Sequence, residues 1–415
     1  MPESASPLGD GLLAGVRVLD LSLLGPAALA SHFVDFGAEV IKIEAPSGDY
    51  VREMTWPIVD GTSLMHLRVN RGKESLVLDL KTPEATAVLT ELIAKSDVII
   101  EAMRPGFLDK RGFTKERLEE INPAIVFCGI SGYGATGPYR DLPSHGIAYD
   151  TWAGQIKPIV DDQGFTRMPD QANIGIIAGP AFGAMAVLAA LVRARTTGKG
   201  AHMEIAQSDA AAYFDWYRIE TYRAYQHAED FVTGNKSDDY VRRAPGLGGM
   251  WEGVRYQMYE SADGHVLFMA SENAFWKNFC VGLGREDLYE QFPGSKYADH
   301  ARGNLELQTI LRDIFRTKTS QEWIAFAGEH NTTIAPVNTP GTVIEDPQFR
   351  DRFTWTSVEE TGIDQLLFPL HMTGERSPVP TKAPEVGQHS EDVLRRVLGY
   401  DDAKIAALRA AGATN

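Results

Sequence analysis

Residues 171–192 carry no charge, and this stretch constrains the chain more than any other. A run this long can span a membrane. Here Gly179-Pro180 interrupts it, and alanine and glycine fill much of its second half. The pattern therefore predicts a small-residue helix packed on several sides. Pro180 suits a first helical turn, where a missing N–H costs nothing, so the helix is expected over about 181–195. Thr197-Gly198-Lys199-Gly200 ends it, with glycine in the usual C-terminal position. Residues 202–206 read as a short strand, and Ser208-Asp209 as the cap of the next helix. Small side chains on such a helix let a neighbouring backbone, a ligand or a second chain come close.

The chain has 415 residues, too many for one ordinary core, so two domains are expected. Its composition, 44% apolar and 23% charged, is that of a soluble globular protein. A formal net charge of −16 argues against nucleic acid or an anionic membrane as partner. An anionic ligand would then need a local basic patch. Cys128 and Cys280 lie far apart in sequence, which excludes a disulfide scaffold and favours a reducing cytoplasm. The N-terminus lacks the basic-then-apolar pattern of a signal peptide. The histidines and cysteines form no HxxxH, HExxH or CxxC spacing, so no metal is expected.

Along the chain, residues 16–21 (VRVLDL) and 38–43 (AEVIKI) are short apolar strands joined by a turn and a helix. This βαβ unit predicts parallel strands with a right-handed crossover. The turn, LLGPAA, is not GxGxxG, so a nicotinamide site is not expected. Thr82-Pro83-Glu84 opens a helix with a cap, a proline and an acid. Residues 97–101 form another strand, and the loop after it carries Arg104, Lys110 and Arg111. Open α/β sheets bind ligands at such carboxyl ends. Residues 124–129 are a strand, followed by the glycine-rich SGYGATGP at 131–138. The aromatic residues of 210–226, at helical spacing, read as core. Residues 227–251 read as a linker, and Ala262-Asp263-Gly264 as a hairpin turn between strands 256–260 and 265–270.

Several of these segments together resemble the family III CoA-transferases, also called the CaiB/BaiF family. They are VLAALVRARTTGKGAHMEIAQSDA at 187–210, NRGK at 70–73, EAMRPGFLDKRG at 101–112 and SGYGATGP at 131–138. Residues 384–390 are similar to the family's PxxGxHT signature. The resemblance implies an α/β fold with a Rossmann-like large domain built from both chain ends (1–225 and 331–415) and a smaller α+β domain (226–330). It also implies an interlocked dimer. It implies a CoA thioester as substrate rather than a bound cofactor. Lys73, Arg104, Lys110, Arg111, Tyr133 and Gly134 would line the CoA site, with Lys73 and Lys110 near its phosphates. The family's asparagine after the 97–101 strand is Ala102 here.

In such enzymes a carboxylate nucleophile attacks the thioester. Counted without gaps from Thr197-Gly198-Lys199-Gly200, the position of that aspartate falls on Ile176. A hydrocarbon cannot perform the step. One reading, favoured because it needs no gap, makes this chain the non-catalytic subunit of a hetero-oligomer. Two-subunit members such as succinyl-CoA:benzylsuccinate CoA-transferase offer a precedent. A second reading gives the nucleophile's role to Asp170, through a six-residue slip. A third is a racemase-like enzyme using His145, which lies four before Tyr149. A fourth is a CoA-ligand-binding protein without chemistry.

Overall fold

In the computed structural model, residues 11–234, 240, 242, 251–294, 300–374 and 377–415 are described. Much of the glycine-rich part of the expected linker lies outside them. The chain divides into two compact units: Met1–Trp216 with Phe353–Asn415, and Tyr217–Arg352.

The first unit is built on six strands, β1 (Arg17–Leu21), β2 (Glu39–Glu44), β3 (Glu74–Val77), β4 (Val98–Glu101), β5 (Val126–Ser131) and β6 (Ala201–Ala206). All pair in parallel, in the order β3-β2-β1-β4-β5-β6. This is the Rossmann order, which reverses direction between β1 and β4 and opens a crevice at their carboxyl ends. Parallel sheets are covered on both faces, and alternate side chains therefore serve two cores. Leu19, Ile41 and Ile99 meet α3 (Pro83–Ile93), α4 (Lys115–Ile121) and the C-terminal helix Ser390–Leu398. Val18, Val40 and Ile100 meet α1 (Ala28–Asp35), which α2 (Leu64–Asn70) follows along the chain, and α6 (Ile174–Thr197). Thr82 caps α3 by accepting from the Ala85 N–H, with Pro83 in the first turn.

The central helix departs from the expectation. It begins at Ile174, so Pro180 lies inside α6 and not in its first turn. The reason is tertiary. Asp150, on α5 (Ala148–Trp152), accepts from the backbone N–H groups of Ile174 at 2.7 Å and Gly175 at 3.1 Å, and so caps the helix from outside its own segment. By length and composition α6 is apolar enough to cross a membrane, but half of its most apolar window is buried inside the protein. Its small residues serve that packing: a Cβ on Gly183 would stand 2.5 Å from Leu29 Cδ1. The next helix, α7 (Gln207–Phe214), starts one residue before the expected Ser208 cap and has no side-chain cap. Tyr213, Phe214, Trp216, Tyr217 and Tyr222 are exposed, which corrects the reading of these aromatics as core.

The second unit contains a three-stranded antiparallel sheet, β7 (Tyr256–Glu260), β8 (His265–Met269) and β9 (Ile334–Pro336). Its core is aromatic, with Phe268, Trp276, Phe279, Phe315 and Trp323 fully buried. Because β9 pairs with β8, the chain re-enters the first unit only at Phe353, later than residue 331.

Gly200 leads into β6. Its N–H donates to the Pro123 carbonyl at 2.8 Å, and a Cβ there would lie 1.8 Å from the Ile125 oxygen. Backbone cannot yield at that distance. Gly200→Ala is expected to destabilise the chain by at least about 1–3 kcal/mol. Gly198→Asn is expected to be mild, since Gly198 has φ +70° and open space around it. Chemical denaturation of both variants checks this; equal stabilities would contradict it.

Candidate active site

The site is built at the crevice between β1 and β4. After Leu21 the chain turns through residues 22–27, with Leu24 at φ 55°. That turn is held from beneath by charge. Lys42 Nζ donates to the Ser22 carbonyl at 2.8 Å and pairs with Asp49 Oδ2 at 3.1 Å. Lys73 Nζ donates to Asp20 Oδ2 at 2.7 Å, to the Ala27 carbonyl at 2.8 Å and to Asn70 Oδ1 at 3.2 Å. Asp20 Oδ1 accepts from the Ser22 N–H at 3.0 Å. All four charged groups are buried.

Lys73 is therefore not a surface cation waiting for phosphate, and its assignment to the CoA phosphates is corrected. Its three donors are engaged inside the protein, where they fix one end of the turn while Lys42 fixes the other. Burial pulls the Lys73 ammonium below its ordinary value despite Asp20. Burial pushes Asp20 up, but Lys73 and Lys42 outweigh it and hold the carboxyl below its ordinary range.

Above the turn lies a cavity of about 650 Å³. Its walls come from the turn after β1, the loops after β4 and β5, residues 140–149 and the start of α6. Arg104, Tyr133, His145 and Ile176 line it together. Asp170, Lys110, Arg111 and Gly134 are not among its lining residues. Asp170 is exposed in the segment before α6. Lys110 is exposed, and Arg111 lies 3.7 Å over the Phe107 ring and donates to the Phe107 carbonyl. Gly134, at φ 92°, shapes its loop, and its N–H donates to Ser131 Oγ at 3.0 Å.

Sequence reasoning missed four contributors. Arg140 lines the cavity and reaches the Pro105 carbonyl at 3.5 Å. Met65 and Gln207 also line it. Asp150 sets where α6 begins. Of these only Arg140 carries a sequence signal, as a cation directly after the glycine-rich 131–138 loop. Tyr149 accepts from Ser144 Oγ at 3.2 Å, and burial raises its phenol. Among the described residues, Asp141 is the sole carboxylate residue on the lining; its side chain is 82% exposed and pairs with Arg140 at 3.6 Å.

Ile176 is in the first turn of α6. Its Cγ2 lies 2.8 Å from where a Cβ on Gly25 would stand, and its Cδ1 is 3.9 Å from the same point on Gly146. The absence of a side chain at Gly25 is what admits it. A second cavity, of about 300 Å³, lies past Ser131 and Pro105. Its walls carry Glu101, Asp109, Glu204 and His202, and burial raises the Glu101 carboxyl to about 7. Carboxylates make that cavity a poor host for phosphate; the cations Arg104 and Arg140 line the larger one.

A family model described as CoA-transferase family III matches residues 13–390. Human succinyl-CoA:glutarate CoA-transferase is 30% identical over 418 aligned residues, spanning 96% of this chain and 89% of that protein. The succinyl-CoA–L-malate CoA-transferase beta subunit of Chloroflexus aurantiacus is 29% identical, over 96% of each chain. Among solved structures, a CAIB/BAIF family protein from Brucella suis superposes with a TM-score of 0.73 at 24% identity, covering 95% of this chain and 100% of that one.

Removing the partner of a buried charge leaves the other uncompensated. Asp20→Asn is expected to cost about 3–5 kcal/mol at pH 7. The folded value of Asp20 is depressed, so its contribution is present above the ordinary carboxyl value of 3.8 and is lost as pH falls through the folded one. The gap between wild type and variant should narrow at low pH. Denaturant midpoints measured from pH 7 downward test this, and a constant gap would contradict it.

Proposed function

The chain belongs to CoA-transferase family III, and on that premise we propose that it binds a CoA thioester in the larger cavity as one subunit of a CoA-transferase whose nucleophile comes from a related chain. The enzyme class moves CoA from a thioester to a free carboxylic acid. A carboxylate adds to the thioester carbonyl and expels CoA thiolate, leaving a mixed anhydride. The thiolate then attacks the nucleophile's own acyl carbon, releasing the first acid, and the acceptor acid repeats the exchange. Each step needs oxygen lone pairs at the position of attack.

One observation carries the reading. Ile176, which the family resemblance aligns with the aspartate, lines the cavity, while Asp170 is exposed and does not. The name of the Chloroflexus relative, a beta subunit, supports a two-chain arrangement. Arg104 and Arg140 are the groups to meet the anionic part of CoA, with Tyr133 and the glycine-rich loop against its neutral arm. An apolar strip on α6, of Ile177, Met185 and Val192, is exposed together with Tyr213 and Phe214 of α7. Such a face supports burial against a second family III chain, identical or related. The free, buried thiols of Cys128 and Cys280 support a reducing cytoplasm.

A nucleophile-free chain should transfer CoA at least about a thousandfold more slowly than the assembled enzyme. The assay is the purified chain with succinyl-CoA and a panel of acids, with hydroxylamine to trap an acyl-enzyme. Activity restored by a co-expressed relative with aspartate at the aligned position supports the proposal. Full activity alone, abolished by Asp170→Ala, Asp141→Asn or His145→Ala, overturns it and identifies the residue responsible. Sedimentation at micromolar concentration is expected to show an even-numbered oligomer; a stable monomer would refute the role given to the α6 face.

A further inference from the structure

We infer that the acyl group held by this chain is apolar at its far end, a hydrocarbon or aryl-alkyl group and not a dicarboxylate such as succinyl. The inference rests on the CoA-binding reading above and deepens it. The larger cavity has two chemically different ends. Arg140 lies beside the loop after β4, its Nη2 3.5 Å from the Pro105 oxygen and 3.8 Å from the Cβ position of Gly106, next to Arg104. This end suits anions. The other end carries a hydrocarbon patch. The point where a Cβ on Gly25 would stand is 2.8 Å from Ile176 Cγ2 and 3.5 Å from Met65 Cε. Leu24 and Pro26 flank it on the cavity wall.

A CoA thioester with its phosphates toward the arginines extends its acyl group toward Ile176 and Met65. A second carboxylate there would lose water and gain no partner from these side chains. The first two N–H groups of α6 do not offer one either. The N–H groups of Ile174 and Gly175, the natural anion site of such a helix, are already taken by Asp150 Oδ1. Asp150 Oδ2 is buried without a protein partner. His145, next to Gly146, is the ionisable cation on the lining at this end, with Tyr149 and Gln207 as neutral polar neighbours.

The test is titration of the full chain with free CoA, hexanoyl-CoA, 3-phenylpropanoyl-CoA and succinyl-CoA. The two apolar thioesters are expected to bind roughly tenfold or more tightly than succinyl-CoA. Ile176→Ala should reduce that advantage severalfold, with circular dichroism and thermal unfolding to show that the variant is folded. Succinyl-CoA binding as tightly as the apolar thioesters overturns the inference; if His145→Ala then removes its affinity, His145 holds the carboxylate. Failure of free CoA itself to bind overturns the parent reading and this inference with it.

Discussion

Two buried ammonium groups decide where the working surface of this molecule lies. Lys42 and Lys73 each donate to a backbone carbonyl of the turn after β1, at Ser22 and Ala27 respectively. Each is anchored in turn by a carboxylate, Asp49 or Asp20. Burying charge is costly unless every donor is matched, and Lys73 matches all three of its own. The result is a turn that keeps Leu24 at a positive φ and presents Gly25 to the cavity. Such conformations persist only where the surroundings over-determine them.

The rest of the site follows from that turn. Gly25 faces Ile176 with no side chain between them, so the start of α6 closes against the end of β1. Asp150 locks the same helix terminus from the opposite side. The charge network and the cap hold the two walls of the cavity independently of any ligand. That preorganisation suits a protein that binds a large, flexible thioester. Neither support depends on the side chain at position 176.

On the reading proposed above, the same arrangement separates binding from chemistry. Arginines, a tyrosine pair and glycine loops remain at the carboxyl ends of β4 and β5. Position 176, where the resemblance would put the family's aspartate, carries hydrocarbon. On that reading, this chain grips CoA and a related chain supplies the carboxylate.

Much of the fold was legible in the sequence. Apolar strands separated by amphipathic helices specify a parallel sheet, because only crossovers join such strands and both faces must be covered. The Thr82-Pro83 helix start and the Ala262-Asp263-Gly264 hairpin are local, and local chemistry decides them. The frame that puts Ile176 opposite the family's aspartate is likewise a property of sequence alone. Other features were not legible because they depend on groups distant along the chain. Lys73 looks like a ligand for phosphate until Asp20, far upstream, closes on it. Pro180 looks like a helix start until Asp150 satisfies two N–H groups nearly two turns earlier. Arg104 and Arg140 share a cavity only because two strand ends lie side by side. Periodicity and turn chemistry determined the elements. The partners of buried charges were decided by tertiary structure, since a charge takes its role from whatever stands within a few ångströms of it.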